Sequence, residues 1–144
     1  MLNTNAAIAL LKEHPQMLHH VRRVGRFTLR VCAPVEAELW FCVAKSTRQE
    51  QNRIRLLTLL EWLPSLPFAG QATRHFGDIR AHLSSQGTPI GPYDLQIAAI
   101  AVAHDLTVVT HNTREFSRIP GLKLEDWLLR VLLISHSRFT VSFR

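Results

Sequence analysis

Three observations predict an α/β fold with a mainly parallel sheet for this chain. Segments with the two-residue period of strands alternate with segments of helical period along the sequence, an order typical of parallel sheets. Hydrophobic residues make up 47% of the chain and charged residues 19%, which is the composition of a globular protein. A length of 144 residues fits one domain with a substantial core.

The N-terminal half is predicted to contain two strands and four helices. Phe27, Leu29 and Val31 alternate with more polar neighbours, which is the period of a strand. Asn3, Thr4 and Asn5 are residue types that favour helix N-caps, and Thr47 with Glu50 three residues later forms a capping-box pattern. We therefore expect a strand over 1–3, helices over 6–12 and 16–24, a strand over 27–33, a helix from Pro34 and another capped by Thr47.

The C-terminal half continues the alternation. A Gly-Pro turn at 91–92 delivers Asp94 into the first turn of an apolar helix, where proline and an acidic residue are both favoured. The β-branched run 106–110 predicts a buried strand. In order we expect a strand over 65–68, helices over 71–85 and 93–104, a strand over 106–110, a short helix over 112–116 and a strand over 122–124.

The chain is predicted to divide into a folded domain over residues 1–127 and a basic, apolar tail over residues 128–144. The tail contains no acidic residue, and its role is not readable from the sequence. We find no internal repeat and no low-complexity linker in the chain.

The net charge of +6 makes a polyanion a plausible partner. The two cysteines, Cys32 and Cys42, lie in apolar surroundings and form no disulfide framework, which fits the reducing cytoplasm. No signal peptide and no membrane-spanning run is recognisable, so we expect no membrane association. Several arginines form either an RNA-facing surface or ordinary solvated helix faces: Arg22, Arg23, Arg26, Arg30, Arg48, Arg53 and Arg55.

Candidate site residues follow the ends of predicted strands or open a helix. Asn3, the pair Glu36 and Glu38, and Asn112 each follow a predicted strand, and Asp94 opens the apolar helix. Ligands of parallel sheets gather beyond the carboxyl ends of the strands, so these side chains are expected to converge there. For Asp94 taken alone, the simpler interpretation is an acid that stabilises the helix N-terminus.

Other residues are weaker candidates for chemistry. Glu36 lies two residues from Glu38, so on a helix the two side chains point in different directions, and we expect Glu36 to be solvated. His111 lies beside Asn112 and could contact a phosphate, but no motif supports it and a structural role is favoured. The sequence lacks both the GxGxxG and the GxxxxGK[ST] phosphate-binding loops, which argues against a nucleotide-binding α/β domain.

Four ordered motifs resemble the PIN-domain family, in particular VapC-type toxins of toxin–antitoxin pairs. Members often begin Leu-Asp-Thr-Asn, and this chain has Leu-Asn-Thr-Asn at 2–5. The Ala-Glu-Leu motif stands at 37–39, and Gly-x-Pro-Ile-Gly-Pro-x-Asp at 87–94. Val-Thr-x-Asn at 109–112 is followed by Arg-Glu-Phe at 114–116 and Pro-Gly at 120–121.

The resemblance implies a three-layer α/β/α domain that cleaves RNA with Mg²⁺ or Mn²⁺. By position it implies metal ligands at Asn3, Glu38, Asp94 and Asn112, with Thr110 orienting a water or a carboxylate. Carboxylates and waters are the ligands that Mg²⁺ prefers, and the bound ion can activate water for phosphodiester hydrolysis. The resemblance also implies a homodimer and an inhibitory antitoxin partner whose basic segment reaches the acidic pocket.

The chain departs from the family pattern at two positions. Asn3 stands where members have aspartate, which removes one negative charge from a site that attracts a cation, so we expect weak metal binding and little nuclease activity. Whether Asn3 reflects natural decay or a deliberate inactivating change is left open. Cys42 stands where members usually have glycine. The alternative function is a non-catalytic PIN module that binds an antitoxin or RNA.

Overall fold

The computed structural model describes residues 1–129, over which helices outnumber short parallel strands. The helices are α1 (Thr4–Leu11), α2 (Pro15–Val24), α3 (Ala33–Lys45), α4 (Gln49–Trp62), α5 (Gln71–Ser85), α6 (Pro92–Ala103) and α7 (Thr113–Phe116). The strands are β1 (Val31–Cys32), β2 (Ser65–Leu66), β3 (Val108–Val109) and β4 (Leu124–Glu125). Helices and strands alternate as expected, so the α/β prediction is confirmed.

All strand pairs in this part of the chain are parallel. β1 pairs with β2, and β3 pairs with β4. The N-terminal segment joins the two pairs, because the Leu2 N–H donates to the Arg30 carbonyl at 2.8 Å while Leu2 bridges Val109 on its other side. The order across the sheet is therefore β2, β1, residues 1–3, β3, β4, and residues 1–3 lie at its centre.

The core is apolar and extends from Met1 to Trp127. Its largest fully buried side chains include Phe116, Met17 and Leu39. α6 is buried along most of its length and packs against α5. Ala98 and Ala99 of α6 are both completely buried. None of the helices over residues 1–129 is long and apolar enough to cross a membrane.

The strand predicted over 27–33 is wrong for its first half. Residues Arg26–Thr28 form a 3-10 turn, and β1 begins only at Val31. The turn follows Gly25, whose φ of +82° reverses the chain, and the Thr28 hydroxyl donates to the Gly25 carbonyl at 2.8 Å. Phe27 is 72% exposed, so the alternation that predicted a strand reflected a side chain that never enters the core.

The capping box predicted at Thr47 is also wrong. Thr47 lies in a turn between α3 and α4, and α4 begins at Gln49 with Arg48 at its N-cap and no capping side chain. Two other contacts stabilise this turn, because Ser46 Oγ donates to the Val43 carbonyl and Gln49 Nε2 donates to the Ala44 carbonyl. The last strand lies slightly later than predicted, at Leu124–Glu125. Of the predicted tail, residues 130–144 lie outside the described residues.

Candidate active site

Asn3 sits where the central segment of the sheet turns into α1. Its carbonyl oxygen Oδ1 accepts from the Ala6 N–H at 3.3 Å, which makes it the N-cap of α1. Its amide Nδ2 donates to the Thr110 hydroxyl at 2.7 Å. Among residues 1–129, Asn3 and Thr110 are the two buried polar residues. Because buried polar groups are costly unless paired, this bond fixes both side chains.

A chain of hydrogen bonds leads from Thr110 toward α7. The Asn112 backbone N–H donates to Thr110 Oγ1 at 2.9 Å. The Asn112 side chain in turn donates from Nδ2 to Glu115 Oε2 at 3.3 Å. Glu115 then shares a hydrogen bond with the side chain of Asp94. Four predicted site residues, Asn3, Thr110, Asn112 and Asp94, are therefore connected through contacts beyond the ends of the central strands.

Asp94 lies in the first turn of α6, directly after Gly91 and Pro92, as the sequence predicts. Burial is the main cause that raises its pKa, from 3.8 to about 6, followed by the hydrogen bond to Glu115 and repulsion from the Glu115 charge. Two carboxyl groups in hydrogen-bond contact need one proton between them. The pair therefore forms a half-buried acidic position at the end of a helix whose dipole favours negative charge.

Glu38 joins Asp94 across an open cleft of about 310 Å³. The cleft lies between the beginning of α1, α3 and the beginning of α6. Its lining residues are Thr4, Pro34, Glu38, Gly91, Pro92, Tyr93, Asp94 and Ile97. Thr4 follows Asn3 directly, so the cleft and the hydrogen-bonded chain meet at the start of α1. Glu38 is only partly buried, as is Glu36, and only Glu38 lines the cleft.

The donor set fits a hard divalent cation in part. Glu38 and Asp94 offer carboxylate oxygens to one cleft, which suits Mg²⁺ held by one or two carboxylates and waters. Over residues 1–129, however, no group of three or more acidic, histidine or cysteine side chains is close enough to hold a metal ion. The buried position nearest the sheet, Asn3, contributes an amide instead of a third carboxylate.

The family model for the PIN domain matches residues 1–122. The chain belongs to the PIN-domain family. A relative from Salmonella typhimurium named tRNA(fMet)-specific endonuclease VapC is 42% identical over 88% of this chain and 96% of its own length. Ribonuclease VapC2 from Rickettsia felis is 36% identical over the same shares of the two chains. These relatives support the assignment of this PIN domain to the VapC-type endoribonuclease toxins.

Solved structures of toxin–antitoxin complexes share the fold. A chain in the structure of DNA-bound VapBC from Salmonella typhimurium matches with a TM-score of 0.82 and 38% identity, over 88% of this chain and 96% of the other. VapBC2 from Rickettsia felis, bound to a DNA fragment from its promoter, matches with a TM-score of 0.79 and 36% identity, over 88% and 97%. The similarity to VapBC complexes supports an antitoxin as a partner of this PIN domain.

Glu115 is a site residue that the sequence motifs did not indicate. The structure places its carboxylate between Asn112 and Asp94. The sequence did indicate that Glu115 lies near Asn112, because the two are three residues apart and such residues are neighbours on a helix.

The structure shows which arginines of the predicted RNA-facing surface make contacts within the chain. Arg55 donates to the Leu11 carbonyl at the end of α1, and Arg30 donates to the Phe27 and Leu29 carbonyls. Arg53 pairs with Glu50 at 3.5 Å, and Arg23 lies 3.8 Å from Glu125. Intrachain contacts therefore occupy several of the seven arginines, which supports the solvated-face interpretation for those residues.

Proposed function

We propose that this PIN domain is a VapC-type toxin whose cleavage of RNA depends on Mg²⁺ or Mn²⁺ and is weakened by Asn3. The observation that carries the proposal is the shared cleft of Glu38 and Asp94, which connects through Glu115, Asn112 and Thr110 to Asn3. RNA as the substrate is supported by a relative that is named Ribonuclease VapC2.

In this proposal the residues of the cleft and their neighbours have distinct roles. A bound divalent cation would supply an activated water and stabilise negative charge on the phosphate. Glu38 and Asp94 would hold the ion, with Asn112 as a further ligand, directly or through a water. Glu115 would position Asp94 through their hydrogen bond, and Thr110 would hold Asn3 and the Asn112 backbone in place.

Asn3 weakens metal binding at this site because it lacks a negative charge, and not because its side chain is misplaced. Both ends of its amide form hydrogen bonds, because Oδ1 accepts from Ala6 and Nδ2 donates to Thr110. An aspartate in the same position would accept from the Ala6 N–H and from the Thr110 hydroxyl, and it would add one negative charge. The attraction of a divalent cation to the site is mainly electrostatic, so the missing charge weakens metal binding.

The test compares the native chain with Asn3→Asp in RNA cleavage over a titration of Mg²⁺ and of Mn²⁺. We expect little or no cleavage by the native chain and metal-dependent cleavage, at least about 100-fold faster, by Asn3→Asp, since groups that stabilise developing charge contribute on this scale. Asn3→Asp with Asp94→Asn is the control and should be inactive. Equal strong activity of the native chain and Asn3→Asp would contradict the role of Asn3, and no cleavage by Asn3→Asp would contradict the nuclease proposal.

We propose tRNA(fMet) as the first RNA to be tried. The Salmonella typhimurium relative and one from Shigella flexneri, 35% identical over 88% of this chain, are both named as tRNA(fMet)-specific endonucleases. A transcript of this tRNA should be cleaved by Asn3→Asp faster than an elongator tRNA transcript at the same concentration. Equal rates on the two transcripts would argue for a different RNA target.

The second candidate function is a non-catalytic PIN module that binds an antitoxin. It is favoured by Asn3 and by the lack of a three-acid cluster over residues 1–129. Such a module should capture its antitoxin equally well with and without EDTA, and its Asn3→Asp variant should remain inactive.

We further propose that the protein forms a homodimer and works in the cytoplasm. Sedimentation of the purified chain would test the homodimer, and fractionation of cells would test the location.

A further inference from the structure

A second cavity lies beside the cleft, between α5 and the beginning of α6. Its volume is about 280 Å³, near the lower end of the usual range for ligand pockets, about 300–1,000 Å³. α5 contributes Phe76, Arg80 and Ser84 to its lining. Pro92 of α6 lines both this second cavity and the cleft of Glu38 and Asp94. The two cavities are therefore direct neighbours.

The wall between the two cavities is the turn that leads into α6. Pro89 lines the second cavity, Gly91 lines the cleft and Pro92 lines both. Arg118 holds this turn in place, because its Nη1 donates to the Pro89 carbonyl at 3.3 Å. A ligand that has one group in the cleft can therefore cross a fixed wall and place its next group in the second cavity.

The polar side of the second cavity fits a phosphate. Arg80 is an exposed residue of α5 that lines the cavity, and it takes part in none of the ion pairs found among residues 1–129. A guanidinium keeps its charge at all ordinary pH values and binds phosphate oxygens through paired N–H groups. Ser84, four residues further along the same helix face, adds a hydroxyl donor. Unlike the carboxylates of the cleft, these groups attract a phosphate without a metal ion.

The apolar side of the second cavity fits a nucleobase. Phe76 is partly buried, and its ring packs edge to face against Phe68 with centroids 5.5 Å apart. Ile90 and Leu95 add further apolar surface to the lining. A phosphate alone has no use for such walls, whereas the flat face of a base packs favourably on an aromatic ring. The combination of a ring with an arginine is therefore suited to a whole nucleotide.

We propose that the second cavity binds the RNA nucleotide next to the phosphate that is cleaved, with the base on Phe76 and the phosphate of that nucleotide on Arg80. A metal ion on Glu38 and Asp94 would offset the repulsion of one phosphate, and Arg80 attracts the neighbouring phosphate. The inference rests on the proposed function, because it needs RNA in the cleft.

The first test removes the charge of Arg80. The affinity for a fluorescein-labelled tRNA(fMet) transcript is measured by anisotropy in EDTA for Arg80→Gln and for Arg74→Gln. Arg74 is an exposed residue of the same helix that lines neither cavity, so both variants lose one positive charge from α5. We expect Arg80→Gln to bind about 5-fold more weakly or worse, with a salt dependence that is shallower by about 1. Arg74→Gln should stay near the native affinity.

The second test removes the ring of Phe76. Phe76→Leu and Phe68→Leu both abolish the contact between the two rings, but only Phe76 lines the second cavity. We expect Phe76→Leu to lower the affinity for the transcript by about 5-fold, the lower end of the effect of losing a stacking ring. Phe68→Leu should retain the native affinity, which would show that the loss does not come from the disrupted ring pair.

Four outcomes would overturn the inference. Equal losses in Arg80→Gln and Arg74→Gln would indicate a general effect of charge, and equal losses in the two phenylalanine variants would indicate a structural role. A loss confined to Arg80→Gln would indicate a phosphate contact without a base. A changed sedimentation coefficient of Arg80→Gln would place this face between two copies of the chain. All four leave the proposed function standing, whereas a native chain that binds no RNA would overturn both.

Discussion

Asn3 illustrates how one residue serves the fold while limiting the chemistry. Its amide bonds both Ala6 and Thr110 in a buried position, where an unpaired polar group would cost about 1–3 kcal/mol. A carboxylate is also compatible with these two partners, because the Thr110 hydroxyl can reverse and donate. The Asn3→Asp variant should therefore fold normally, which makes its activity a clean measure of the missing charge.

Asp94 is predicted to lower the stability of the protein at neutral pH. Burial and Glu115 raise its pKa from 3.8 to about 6 in the folded chain, so the stability from this group is fully present below about pH 3.8 and is lost as the pH rises through about 6. In EDTA at pH 7.5, Asp94→Asn should increase the free energy of unfolding by about 1–2 kcal/mol. Urea unfolding at pH 7.5 and pH 4 checks this.

The comparison at two pH values contains the control for that prediction. At pH 4, Asp94 in the folded chain is already protonated, so the gain from Asp94→Asn should largely disappear. A stabilisation of the same size at pH 4 and pH 7.5 would show that improved packing, and not the relief of a buried charge, is responsible. A loss of stability at pH 7.5 would contradict the prediction.

At the scale of elements, the sequence predicted the helices better than the strands. Periodicity located α5 and α6, and the turn chemistry of Gly91 and Pro92 placed Asp94 correctly. The two-residue strands of this sheet are too short to show a period, so the pattern at Phe27 extended β1 too far. Local patterns report which residues suit a strand, but pairing with distant segments decides where the strand begins.

The candidate site shows the same limit. The order of the predicted elements and the resemblance to the PIN-domain family indicated Asn3, Glu38, Asp94 and Asn112, and each lies at the predicted end of the sheet or in the cleft. Glu115 was missed because its partner Asp94 lies far away in the sequence, and only folding brings α7 to α6. The bond between Asn3 and Thr110 likewise joins residues 107 positions apart.

The packing of α6 gives a prediction at the scale of elements. Ala99 is completely buried in a helix that packs closely on α5. Ala99→Leu adds three carbon atoms to a filled core and should lower the free energy of unfolding by about 1–3 kcal/mol through overpacking. Thermal melting with Ala81→Leu as the matched control checks this, since Ala81 is an exposed residue of α5.

Ala99→Leu and Ala81→Leu also test whether the packing of the core affects cleavage at the candidate site. Because α6 carries Asp94, a shift of the helix in Ala99→Leu should reduce metal-dependent cleavage when it is combined with Asn3→Asp. Ala81→Leu in the same background should leave cleavage unchanged. Equal melting temperatures for Ala99→Leu and the native chain would show that the core beside α6 can accommodate the larger side chain.

The charge distribution over the whole molecule suits a polyanionic ligand that binds together with a divalent cation. The cleft carries the carboxylates of Glu38 and Asp94, whereas the chain as a whole has a net charge of +6. Positive charge attracts RNA over distances of about a Debye length, near 8–10 Å at physiological salt. The carboxylates repel the phosphates locally unless a divalent cation lies between them, so binding and cleavage should respond differently to metal and salt.

The predicted division of the chain near residue 127 can be tested by ending the protein after Leu129. All elements that line the cleft lie before this point, and the core reaches Trp127, whose ring stacks on His20 with centroids 5.1 Å apart. We therefore expect the shortened protein to keep the melting temperature of the full chain within a few degrees. A large drop would show that residues 130–144 belong to the folded domain.

The same truncation should weaken the binding of RNA, because it removes Arg130, Arg138 and Arg144 and no acidic residue, and so lowers the net charge from +6 to +3. If the three arginines contact phosphates, the negative slope of log affinity against log salt concentration should become shallower by up to about 2. The matched control is the full chain with all three arginines changed to glutamine, measured by anisotropy from 50 to 200 mM salt. Equal slopes for the control and the truncated protein would assign the effect to charge, whereas a native slope in the control would show that the arginines contact no phosphate.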